Sequence, residues 1–103
     1  RTGAHPAILY SVGRVLNSIG SQVFFEDGVE WLSDIISNNP QLRQTALPTN
    51  TIYYMEEYMY RYVQKRLYLF KSDALRKHKV LNVLDFLVNR GSPLGFLLRE
   101  DII

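Results

Sequence analysis

The chain has 103 residues, a formal net charge of +2, 47% hydrophobic residues and no cysteine. That length suits one domain or part of one, able to bury roughly 60–70% of its unfolded surface. The composition is too apolar for disorder. The lack of Cys excludes disulfides and thiolate metal sites, and no apolar run approaches the ~18 residues of a membrane helix.

No basic stretch followed by an apolar block opens the chain, so no signal peptide is expected. Without Cys or an Asn-x-Ser/Thr sequon, an intracellular setting, cytoplasmic or nuclear, is the expectation. The chain opens at Arg1 and closes on Ile102-Ile103. A piece of a larger helical scaffold protein is therefore expected.

The small net charge conceals a split. Residues 1–57 carry a net −3 and residues 58–103 a net +5. Seven of the twelve basic residues lie between Arg61 and Lys79. Such asymmetry orients a partner without identifying it.

A first helix is predicted from Pro6, a residue favoured at the first helical position. Ile8, Leu9, Val12, Val15, Leu16 and Ile19 follow the spacing of one helix face. Gly20 is a natural stop. A second helix is expected over about 23–37, with Phe25, Val29, Leu32, Ile35 and Ile36 inward. Glu26, Asp27 and Glu30 fall in its early turns, where they complement the helix dipole. Asn38-Asn39-Pro40 ends it, because the residue before a proline disfavours helix.

Residues 40–51 read as irregular, with room for one helical turn at 41–46. Thr49-Asn50-Thr51 supplies a cap. A third, long helix is predicted from about Ile52 to Lys71. One stripe carries Ile52, Met55, Met59, Tyr62, Val63 and Leu69-Phe70, and another Tyr54, Tyr58 and Leu67-Tyr68. Two stripes imply neighbours on two sides. A short strand competes only at Ile52–Met55. Ser72-Asp73 stops this helix and caps a fourth, about Ala74 to Arg90, with Leu75, Val80, Leu81, Leu84, Leu87 and Val88 inward. Gly91 follows as its C′ residue, and Ser92-Pro93 caps a fifth. Residues 12–21 and 83–92 share a pattern of helix end, Gly-Ser and new apolar helix. Stacked hairpins of that kind are the logic of helical repeats.

Chemistry is narrowed by exclusion. His5 and His78 lack any Ser or Asp partner pattern of the triad kind. No P-loop, nucleophile elbow, dinucleotide turn or zinc-helix motif occurs. Glu56 and Glu57 point about 100° apart on a helix, and Asp85 reads as outward, so no acid pair converges for acid–base work. No enzyme, cofactor, metal or small-molecule substrate is expected.

The basic ridge is the leading candidate for partner binding: Arg61, Lys65, Arg66, Lys71, Arg76, Lys77 and Lys79, with Tyr60, Tyr62 and Tyr68 interleaved. It suits an acidic protein, a phosphate backbone or an anionic lipid surface. The same side chains also favour a helix C-terminus and solubilise an apolar helix. Six of the seven tyrosines fall within 53–68. Tyr54 and Tyr58 are candidates for a protein interface, since tyrosine offers large area with a polar tip; a core face is the competing expectation.

The order of helices resembles the armadillo/HEAT class of α-solenoids. Residues 80–103, VLNVLDFLVNRGSPLGFLLREDII, are similar to the helix-turn-helix of ENTH and VHS domains. The resemblance implies protein or membrane-adaptor scaffolding; residues 1–60 do not match the start of those domains. The expectation is an all-α fold of about five helices in antiparallel hairpins, solenoid-like or an irregular orthogonal bundle. Its expected role is a non-enzymatic protein–protein interaction module acting through apolar, Tyr-rich helix faces. The alternative is a nucleic-acid or anionic-phospholipid binding module that uses residues 61–79.

Overall fold

The computed structural model describes residues 6–18 and 22–103. Five α-helices follow one another: α1 (Pro6–Ser18), α2 (Gln22–Asn38), α3 (Thr51–Arg66), α4 (Ala74–Asn89) and α5 (Pro93–Ile102). Single 3₁₀ turns at Pro40–Arg43 and Leu67–Leu69 precede and follow α3. No strand occurs among the described residues, and Ile52–Met55 is helical. The fold is an all-α helical bundle, as the periodicity predicts.

Local chemistry sets most boundaries. Asp73 Oδ1 accepts the Arg76 backbone N–H at 3.0 Å and caps α4. Ser92 Oγ accepts the Gly95 N–H at 2.9 Å and caps α5, with Pro93 at the first helical position. Between them the chain leaves α4 through a Schellman turn. The Ser92 N–H reaches the Leu87 carbonyl at 3.0 Å, and the Gly91 N–H reaches that of Val88 at 2.9 Å. Gly91 has φ +83°, a conformation that favours glycine. Asn50 heads α3 in the left-handed region, at φ 70°, without a side-chain cap. The predicted third helix is shortened: its α geometry ends at Arg66, and Leu67–Leu69 tighten into the 3₁₀ turn.

One core gathers Leu9 of α1, Val29, Leu32 and Ile36 of α2, Met55, Tyr58, Met59 and Val63 of α3, Val80, Leu84 and Leu87 of α4, and Leu98 of α5. Val83 and Phe86 are fully buried as well. Leu75, expected inward, is exposed. Residues 80–88 are apolar at seven of nine positions, so their spacing alone does not choose the buried arc of α4. Leu75 lies one turn before that run, beside the rim of α2. Ile8, also expected inward, is exposed, as are Leu67 and Tyr68 of the second α3 stripe. The expected stop at Gly20, His5 and the side chains of Val15, Leu16, Ile19 and Phe25 lie outside the described residues, as does part of the 12–21 match.

α1 packs mainly on α3, α2 on α4, and α5 on α4 and α3. The radius of gyration, 12.7 Å, is that of a compact globule of this length.

Gly95 of α5 lies hard against α4. A Cβ built there would meet Leu87 Cβ at 2.9 Å and Ser92 Oγ at 3.2 Å. Gly95→Ala is therefore expected to destabilise the domain by about 1–3 kcal/mol through overpacking. Urea titration followed by circular dichroism would measure it; a variant as stable as the wild type would contradict the packing described.

Candidate interaction surface

The predicted basic ridge divides into an inner and an outer part. The inner part forms where α2 faces α3 and α4. Arg66, at the end of α3, pairs with Glu26 Oε2, and Arg76 Nη1 reaches Glu26 Oε1 at 3.2 Å. Arg76 Nε also meets Asp73 Oδ2 at 3.1 Å, and its Nη1 donates to the Tyr62 hydroxyl. The Arg66 guanidinium lies 5.6 Å from the Tyr62 ring centroid. One turn on, Lys79 meets Glu30 at 3.2 Å. Asn82 then donates to Ser33 Oγ and Ser37 Oγ, each at 2.9 Å. Glu26, Glu30, Ser33 and Ser37 thus face Arg76, Lys79 and Asn82 in ascending order along both helices. Steps of three and four residues make this ladder, and it sets α2 parallel to α4.

These contacts correct the expectation for two site residues. Arg66 keeps only 10% of its side-chain surface exposed and serves the α2–α3 contact. Tyr58 is fully buried, 5.9 Å from Tyr62 between ring centroids, and belongs to the core. Burial pushes the Tyr58 hydroxyl far above its ordinary pKa, with the neighbouring Tyr62 adding to the rise. Burial also raises Tyr62, against the opposing hydrogen bond from Arg76. Both phenols stay neutral.

The outer part is different. Arg61, Lys65 and Lys71 are exposed and Lys77 half-exposed. Tyr54 is half-buried and forms an edge-to-face pair with Tyr10 of α1 at 5.6 Å; Tyr53 stacks edge-on against Tyr54 at 5.5 Å. Tyr53 and Tyr60 are 54% and 46% exposed. They stand seven residues apart, two turns along one face of α3, about 10 Å along the axis. The sequence pattern singles out Tyr54 and Tyr58 rather than Tyr53 from the group at 53–68. The signal for Tyr53 was the i, i+7 match with Tyr60, hidden by the density of tyrosines around it.

A shallow groove runs between α2 and the start of α4, past Glu26, Glu30, Tyr62, Asp73, Leu75 and Arg76. Its ionic groups are largely matched to one another. His78 is exposed, and Asp85 pairs with Arg99 at 2.9 Å across α4 and α5. Glu56 accepts a hydrogen bond from Ser92 Oγ rather than converging with Glu57. Among the described residues no group of three or more His, Cys, Asp or Glu is placed to hold a metal ion. No helix among them is long and apolar enough to cross a membrane. Comparison with protein-family models gives no match, and comparison with curated proteins gives none.

Asp73 supplies a pH test of the inner contacts. The Arg76 backbone N–H and then its guanidinium hold the Asp73 carboxyl below the usual range. A lowered folded pKa contributes stability above the unfolded value, about 4, and loses it as pH falls through the folded value. Asn keeps the cap without the charge. Asp73→Asn should therefore melt below the wild type at neutral pH, with the gap closing as pH drops below about 4. Thermal melts between neutral and acid pH would show it; a gap that does not change with pH would contradict the charge contribution.

Proposed function

We propose that this chain is a non-enzymatic protein–protein interaction module whose contact face is the outward stripe of α3. The observation that carries this reading is the pair Tyr53 and Tyr60, about half exposed on a regular helix already fixed to the core on its opposite side. Tyrosine buries a large apolar area at small entropic cost and keeps a hydroxyl for a partner, and so is enriched at interface centres. The Tyr54–Tyr10 pair borders the stripe and stiffens one edge. Arg61 and Lys65, exposed on the same helix, steer an acidic partner toward it. The rigid bundle behind α3 presents this face with little ordering left to do on binding. Scaffolding of the armadillo/HEAT kind belongs to the same proposal, and the observation behind it is the all-α architecture.

The test is affinity capture with the chain, identification of the recovered protein, and titration of that protein against variants. Replacing both tyrosines, Tyr53→Ala with Tyr60→Ala, should weaken binding by about thirtyfold or more if they are the central anchors. The melting temperature should barely move. Arg61→Glu with Lys65→Glu should slow association in a salt-dependent way. A recovered partner that binds the tyrosine variant as tightly as the wild type would overturn the assignment of this face.

A further inference from the structure

The corner between α3 and α4 carries two independent signals that the α3 stripe does not use. The first is apolar. Tyr68 is 76% exposed and Leu75 65%, flanking a turn closed by Ser72 and Asp73 N–H groups on the Leu69 carbonyl. Leu67 is also exposed. The second is charge. Residues 64–79 contain six cations and one acid, Asp73. Arg66, Arg76 and Lys79 are taken up by Glu26, Glu30 and Asp73. Lys71 and Lys77 make no ion pair among the described residues and leave the corner positively charged.

We infer that this corner docks on an anionic lipid surface. Exposed Tyr and Leu tips on a helix-to-helix turn, with Lys71 in the turn and Lys77 on the first turns of α4, match the chemistry of an interface where aromatic and aliphatic groups enter the headgroup layer and lysines meet lipid phosphates. An acidic peptide fits less well. The groove beside Leu75 is the cradle a chain would use, and its four acids, Glu26, Asp27, Glu30 and Asp73, outnumber its two cations, Arg76 and Lys79, both already paired to them. A planar headgroup layer meets the tip without entering that groove. The interaction is a reversible one, because only a few apolar side chains would insert.

Co-sedimentation of the full chain with phosphatidylcholine vesicles, with and without phosphatidylserine, tests this. Binding is expected to the phosphatidylserine vesicles at low salt and to fall as salt rises. Lys71→Ala with Lys77→Ala should weaken it by about thirtyfold, two charges at roughly 1 kcal/mol each. Tyr68→Ala with Leu75→Ala should weaken it while leaving the salt dependence in place. Melts of both variants, expected to match the wild type, confirm the fold. No binding to phosphatidylserine vesicles would overturn the inference. So would binding indifferent to Tyr68 and Leu75, or an equally tight complex with single-stranded RNA or polyglutamate. The Tyr53→Ala, Tyr60→Ala variant should still bind vesicles, which separates this surface from the α3 stripe.

Discussion

Arg66 and Arg76 reach the one carboxylate of Glu26 from two different helices, and the arrangement of α2, α3 and α4 depends on that shared contact. Arg66 is largely removed from water, where an unpaired guanidinium would be costly. Glu26 is still a third exposed, so its pairing is partly screened and its net contribution is moderate. The value of the contact lies in geometry. It fixes the start of α2 against the end of α3 and the first turn of α4. The ladder of Lys79, Asn82, Glu30, Ser33 and Ser37 then extends the same register along α2 and α4. Tyr62 sits inside this network, its ring under Arg66 and its hydroxyl under Arg76.

That use of charge decides what remains for partners. A run of seven basic residues suggests one continuous polyanion-binding ridge. In the fold, three of the seven face inward to acids of α2 and to Asp73, and the outward ones separate into two places. Arg61 and Lys65 accompany the α3 tyrosines; Lys71 and Lys77 accompany Tyr68 and Leu75 at the corner. The two surfaces differ in chemistry. The first is a regular helix face with half-exposed aromatics. The second is a turn with nearly bare apolar tips.

Features set by neighbouring residues were legible in the sequence. The caps at Asp73 and Ser92, the left-handed Gly91 and the break at Pro40 all follow from side-chain chemistry within four residues. So did the all-α class, because apolar spacing fixes the period. The choice of face was less legible where a helix is apolar nearly all round. Tyr58 is as large and as polar at its tip as Tyr60. Only its position on the arc shared with Met55 and Tyr62 sends it inward. The fate of Arg66 and Arg76 was least legible. Their partner lies 40 and 50 residues away, and a sequence shows that acids exist on α2 without showing which carboxylate arrives.

The central claim is that Arg66 binds within the domain rather than presenting charge to a partner. A double-mutant cycle on Glu26→Gln and Arg66→Met tests it most directly, with unfolding free energies from urea titration. A coupling of about 0.5–3 kcal/mol between the two substitutions is the expected result for a hydrogen-bonded pair with one partner buried and the other partly screened. Costs that add to within about 0.3 kcal/mol would mean the two side chains do not sense each other, and the inner half of the ridge would have to be reassigned to the surface.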